Sequence, residues 1–315
     1  MTRYLLHRAG QALLVVLLVT AVVFVLLHLL PGGPARAQLG ARATPQAVAA
    51  FNHRTGLDRP LPVQYWDWLA RLLSGDLGFS TTYNQPVTSL LAQRLPKTLV
   101  LTGLSTVLAA VLAVPLGTLQ AVRRHRPTDH VITVGAFACY ATPPFFLGVV
   151  LIVVFAVHLP VLPPQAPQGG TLGAVLSRPA GLVLPVLTLT LVTLAQFSRY
   201  VRSSVIANLA EDHVRTARAK GAGQWRVLHR HVLPNSLVPV VTLLGLSLPA
   251  IASGALVTEA VFNVGGTGQL FWMAAQNRDY PVMLGITVLV GLATVVGSLL
   301  ADLACAALDP RVRCA

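Results

Sequence analysis

The sequence predicts an all-α, polytopic membrane protein with six transmembrane helices, and three observations carry that expectation. Of its 315 residues, 54% are hydrophobic and only 10% are charged, too little polar surface to clothe a water-soluble globule of this length. Long apolar stretches begin near Gly10, Thr98, Val131, Leu182, Ser236 and Val282. Each runs for roughly twenty residues or more, enough to cross a hydrocarbon core as a helix. The Arg and Lys residues behind the formal charge of +13 are also unevenly placed. They crowd at Arg3 and Arg8, at Arg123, Arg124 and Arg126, along Arg199 to Arg230, and at Arg311 and Arg313. With six spans and a cytoplasmic N-terminus, all of these fall inside, so the charge reads as a topology signal rather than as a nucleic-acid surface.

The first span belongs to an N-terminal segment, 1–30. Its apolar block, Ala9 to Leu30, is longer than a signal-peptide core and ends in Pro31-Gly32-Gly33-Pro34 instead of a small-residue cleavage site. An extracytoplasmic loop follows over 31–96, too long to obey the positive-inside rule. Within it, Val63, Trp66, Leu69, Leu72 and Leu73 share one helical face, with Tyr65 and Trp68 alongside. That pattern predicts a short interfacial helix, either packed on the other spans or facing a partner.

The core, 97–308, holds spans two to six, and a cytoplasmic tail occupies 309–315. Pro115, Pro143-Pro144, Pro185, Pro239 and Pro249 lie in or at the ends of spans, where each removes a backbone donor and bends or interrupts the helix. Broken helices at membrane depth are tolerated only against protein or a water-filled cavity, which makes Pro143 and Pro144 candidate pathway residues. Two acidic residues fall in or at the edge of the spans: Glu259 near the outer end of span five and Asp302 toward the inner end of span six. A bare carboxylate in lipid is expensive, so each must face the bundle, a partner or water. Glu259 either lines the outer mouth of a pathway or pins a helix, and Asp302 reads as structural.

Cys139, Cys305 and Cys314 show neither metal-ligand nor redox spacing, and the nine His are scattered. No metal or other cofactor is expected on this chain. It carries no phosphate-binding loop either, so any ATPase must be separate.

The stretch 211–234 is the most informative. It reads as two short helices, with Asp212 capping the first, Arg218 and Lys220 at its negative end and Gly221 as its left-handed stop. The second, after Gly223, is expected to end around Leu233, because Pro234 disfavours the helical conformation just before it. The small residues Thr216, Ala217 and Ala219 would let a groove of another protein close over the unit, and the flanking cations suit acidic residues around such a groove.

The run Arg215-Thr216-Ala217-Arg218-Ala219-Lys220-Gly221, followed by Leu233-Pro234, resembles the coupling loop of binding-protein-dependent ABC permeases. In the general pattern of that loop a Glu stands at Arg215 and an Ala at Thr216. The form found here is similar to that of the dipeptide, oligopeptide and nickel branch. Leu29-Leu30-Pro31-Gly32, Gly56-Leu57-Asp58-Arg59-Pro60, Gly75-Asp76-Leu77-Gly78, Arg94-Leu95-Pro96, Arg278-Asp279-Tyr280-Pro281 and Asp309-Pro310-Arg311 agree with the same branch over essentially the whole chain. Two positions depart from it: Gly265-Gly266-Thr267-Gly268 stands where Pro-Gly-Leu-Gly is usual, and Ser298 where an Asn is usual.

The resemblance implies a type I ABC importer permease fold in a bacterial cytoplasmic membrane, with both termini inside. It also implies a second homologous permease, two cytoplasmic ATPases that hold ATP and Mg, and an external solute-binding lipoprotein. The implied cargo is a di- or oligopeptide, with nickel or a metal chelate as the alternative. A proton- or sodium-driven secondary transporter fits less well, since it would call for several buried ionisable residues and an inverted repeat.

Overall fold

The computed structural model describes residues 2–29, 35–36, 39–40 and 43–308, without the side chains of 2–9, 12, 302 and 305–308. The Arg3, Arg8 and Asp302 side chains, the 31–34 run and the 309–315 tail therefore lie outside the described residues.

Helix α1 (Thr2–His28) leads to two short helices, α2 (Pro45–Thr55) and α3 (Leu61–Leu73). A two-stranded antiparallel hairpin comes next, β1 (Phe79–Ser80) against β2 (Gln85–Pro86), with Ser80 opposite Gln85. Then come α4 (Val87–Val122), α5 (Pro127–Ala141), α6 (Pro144–His158), α7 (Leu172–Leu176) and α8 (Ala180–Leu209). The short α9 (Asp212–Ala219) precedes α10 (Gln224–Ser253), and α11 (Leu256–Val261), α12 (Thr267–Asn277) and α13 (Tyr280–Leu308) complete the chain. By length and composition α4, α8, α10 and α13 can each cross a membrane, and the α5–α6 pair makes a fifth, broken span. The apolar part of α1, Leu13–His28, is shorter than these, so four or five of the six expected crossings are long and apolar enough among the described residues.

The third crossing is not one rod. α5 and α6 meet at 104°, because Pro143 and Pro144 withhold two consecutive donors and hold Pro143 and Thr142 extended. Pro115 and Pro185, in contrast, sit inside α4 and α8 without interrupting them. Neighbouring helices in a packed bundle absorb a single missing bond.

At the centre of the bundle α4 packs against α8, and small residues set how closely. A Cβ on Gly117 would lie 2.6 Å from the Ser198 carbonyl oxygen and 2.7 Å from Val201 Cβ, so only glycine allows that crossing. α10 and α13 meet through a second such contact, where a Cβ on Gly245 would come within 2.4 Å of Ala301 Cβ and one on Gly297 within 2.6 Å of the Gly245 oxygen. Hydroxyls supplement the packing. Ser105 Oγ donates to Val186 O of α8 at 3.2 Å, and Thr102 Oγ1 donates to Ile251 O of α10 at 2.9 Å. Such bonds contribute about 0.6 kcal/mol each in membrane bundles.

The short helix α3 forms where expected but turns a different face to the protein. Trp68, Tyr65, Leu69 and Leu72 pack against Phe24, Leu27 and Tyr280, and Tyr65 Oη donates to Leu17 O at 3.1 Å. Trp66 and Leu73, placed by periodicity on the packing face, are 69% and 82% exposed. Gln64, Asp67 and Arg71 make a polar stripe, but the apolar arc that remains is wider than the side packed on α1, so spacing by itself could not tell which part of that arc is buried.

Candidate coupling and translocation surfaces

The 211–234 stretch folds into a helix–glycine–helix unit, as its punctuation predicts. Glu211, extended at φ −68° and ψ 149°, is the N-cap of α9. Asp212 is thus the first helical residue and not the cap; its carboxylate accepts from Arg215 Nη1 at 3.1 Å in an exposed pair. At the other end the Gly221 N–H donates to Arg218 O at 2.9 Å and the Ala222 N–H to Ala217 O at 3.1 Å. This double closure needs a left-handed residue between, and Gly221 supplies it at φ +82°.

The second helix does not end at Leu233. It widens into a π-turn over Leu228–Val232 and continues through Pro234 to Ser253. The π-turn shifts the bonding register by one residue, so the proline's missing donor and its ring are accommodated without a break.

The faces of α9 divide cleanly. Val214 and Ala217 are buried, Ala217 at 8% exposure. They pack into one cluster with Phe197, Val201 and Val205 of α8, Val227, Val232 and Val240 of α10, and Ala110, Ala113 and Ala121 of α4. Ala217 thus seats the helix on its own bundle instead of presenting a small surface outward. Asp212, Arg215, Thr216, Arg218, Ala219, Lys220 and Gly221 remain exposed together, as does Pro234, while Leu233 is half-buried against the cluster. A cleft of about 780 Å³ opens beside the unit, and Arg218, Trp225 and Leu233 line it with the end of α4. Because α9 shares close-packed residues with three spans, displacing it displaces them.

Glu259 was expected at a mouth or as a pin, and its surroundings are those of a pin. Its side chain is 0% exposed. One carboxylate oxygen accepts from Thr98 Oγ1 at 2.9 Å, the other from the Gln269 N–H at 3.0 Å in the first turn of α12. Negative charge is favoured there, where the free amides of a helix start converge. A Cβ on Gly254, Gly266 or Gly268 would fall 2.4, 2.6 or 3.1 Å from the same carboxylate. The glycines of the 265–268 stretch therefore form a cradle around it, and Thr267, where Leu is usual, donates its N–H to Thr98 Oγ1 at 2.7 Å.

An acidic residue missed from sequence, Asp129, opens α5 and is 3% exposed. It takes a bidentate pair from Arg202, Nε to Oδ1 at 2.9 Å and Nη2 to Oδ2 at 2.8 Å, closing α8 onto α5 across 73 residues of chain. The charge crowding around Arg126 obscured it. Pro143 and Pro144 sit at the α5–α6 bend.

A polar cleft in the bundle also escaped the sequence. About 580 Å³ in volume, it is lined by Thr102, Ser105 and Thr106 of α4, Thr193 and Gln196 of α8, and Ser247 of α10. Isolated hydroxyls in apolar runs give no periodic signal, so only the packing of three helices assembles them.

Four or five apolar spans, with a capped helical knuckle fastened to the arginine-rich end of the bundle, are the architecture of a polytopic membrane protein. The comparisons agree and name the family. Residues 113–313 match the family described as binding-protein-dependent transport system inner membrane component, residues 1–102 match its N-terminal counterpart, and the chain belongs to that family. It is 36% identical over 314 residues to the oligopeptide transport system permease protein AppB of Bacillus subtilis, covering 99% of both chains. It is also 36% identical over 313 residues to the glutathione transport system permease protein GsiC of Salmonella typhimurium, again covering 99% of both. Among solved structures, a chain of the inward-facing MetNI methionine ABC transporter shares the fold with a TM-score of 0.54 at 20% identity, over 70% of this chain and 96% of that one.

Proposed function

We propose that this chain is one of two transmembrane subunits of an ATP-driven importer of di- and oligopeptides in a bacterial cytoplasmic membrane. In this reading a second homologous permease completes the pathway, an external lipoprotein delivers the solute, and two cytoplasmic ATPases bind ATP and Mg. Both termini and the 211–234 unit face the cytoplasm, and no covalent chemistry occurs on this chain. ATP binding closes the ATPase pair around α9, and the shared cluster passes that displacement to α4, α8 and α10, exposing the cavity alternately to each side.

The observation that carries this reading is the split character of α9: Val214 and Ala217 anchor it while, among the described residues, its cationic face stays exposed. The peptide cargo is supported by the names of the relatives, which are peptide and glutathione permeases along their full length; no observation favours nickel. The test is reconstitution of the chain with its partner permease, ATPases and binding protein in proteoliposomes. ATP-dependent uptake of a labelled peptide is expected, lost on omitting the ATPases. Uptake by this chain unaided in vesicles without them would refute the reading.

A further inference from the structure

A positive charge on α8 has no acidic partner. Arg199 is exposed and makes no ion pair among the described residues, whereas Arg202, one turn on, is fully engaged by Asp129. Its guanidinium carbon lies 5.8 Å from the centre of the Tyr140 ring, a cation–π distance that leaves the N–H fork unpaired among the described residues. It stands ten residues before the Leu209 end of α8, about 15 Å along the axis at the usual helical rise. As the first of the basic residues that follow the apolar run of α8, it meets either the cytoplasm or a recess of the bundle.

The neighbours show which. Tyr140, Gln196, Arg199, Tyr200 and Ser203 line a recess of about 450 Å³. Gln196 also lines the cleft among α4, α8 and α10, so the two share a wall residue. Along α8, residues 193, 196, 200 and 203 follow a three- and four-residue spacing that places them on one side of the helix. The result is a polar strip from the middle of the bundle to its arginine-rich end, with one unpaired cation near the end and neutral donors and acceptors above it.

We infer that this strip is a solute-facing wall and that Arg199 binds the terminal carboxylate of a peptide in transit. The planar fork matches a carboxylate with two parallel hydrogen bonds, and the amide of Gln196 can pair with the adjoining peptide group. The inference rests on the peptide-importer reading. A lipid headgroup phosphate offers the same anionic oxygens, and the experiment separates the two.

Ser203→Cys, one turn from Arg199, is placed as a reporter in the assembled permease–ATPase complex with Cys139, Cys305 and Cys314 replaced by Ser. The complex is held in vesicles of phosphatidylcholine alone and, separately, with added phosphatidylglycerol. A membrane-impermeant maleimide is expected to label the reporter from water. A tripeptide at millimolar concentration, without binding protein, should slow labelling several-fold; its C-terminal amide should not, and Arg199→Gln should abolish the protection in both lipids. No labelling, equal protection by acid and amide, protection that survives Arg199→Gln, or protection without peptide that depends on phosphatidylglycerol would each overturn the inference. Peptide uptake by the unaltered complex is measured in parallel. If uptake fails although the reporter is labelled and protected, the importer reading is at fault and the carboxylate site is not.

Discussion

Gly221 and Gly223 sit two residues apart in the same exposed turn, and an added Cβ would meet nothing within 4 Å at either. They differ in backbone: Gly221 is left-handed at φ +82°, while Gly223 is extended at φ −64° and ψ 154°. Replacing each by Ala therefore isolates conformational strain from crowding. Gly221→Ala should raise the energy of the native turn by about 1–2 kcal/mol, the left-handed penalty for a residue with a Cβ. The alternative is loss of the double closure from Gly221 and Ala222 onto α9. In either case the knuckle seen here is depopulated by a factor of about 5–30. Gly223→Ala, at the extended N-cap of α10, carries no left-handed penalty and should cost less, about 0.5 kcal/mol of N-cap preference. Gly221→Asn should recover part of the loss, since Asn tolerates the left-handed region. The assay is the affinity of the purified ATPase subunits for permease in nanodiscs, with peptide-stimulated ATP hydrolysis as a second readout. Equal behaviour of Gly221→Ala and Gly223→Ala would refute the claim that the shape of this turn, and not its charge, sets the coupling geometry.

Glu259→Gln replaces an acceptor of two converging donors by a group with a donor of its own, so the cradle should lose about 1–3 kcal/mol; a lowered thermal midpoint of the purified complex checks this, and an unchanged midpoint with altered peptide uptake would return Glu259 to the pathway. Arg202→Leu leaves the buried Asp129 unpaired and should destabilise by about 3 kcal/mol, with Asp129→Asn in the same chain recovering part of it, as read by detergent-extracted monodisperse yield on heating. Gly245→Leu should fail to assemble, because its Cβ would lie 2.4 Å from Ala301 Cβ. Gly103→Leu on α4, where nothing lies within 4 Å, should not disturb the fold, and protease sensitivity separates the two. Trp68→Ala should cost about 3–5 kcal/mol as a large core truncation, whereas the exposed Trp66→Ala should leave the isolated subunit within about 0.5 kcal/mol; similar thermal midpoints for the two variants would contradict the observed facing of α3.

Much of the 211–234 unit was legible because its signals are local. Gly221 stops a helix through its own backbone freedom, and Pro143-Pro144 breaks a span through two adjacent missing donors, whatever surrounds them. Where a neighbour intervenes, local rules misplace the outcome. Pro234 looked like a terminus, yet a π-turn carries the helix through it. Asp212 looked like a cap, but Glu211 holds the extended conformation. Asp129 was hidden in a basic junction, although its partner is a single arginine far along the chain.

The amino-acid order by itself determined the class of the molecule: the length of its apolar runs, the side on which its cations gather, and a short helix closed by a left-handed glycine between two spans. Only the tertiary structure decided which way each helix faces, because in a membrane protein lipid-facing and bundle-facing surfaces are both apolar and periodicity cannot separate them. That is why the sequence could not say that Trp68 and not Trp66 is buried, or that Thr102, Gln196 and Ser247 come together around one cleft. The glycine cradle around Glu259 likewise exists only once α4, α11 and α12 are brought together, since its donors and its close contacts come from three separate elements.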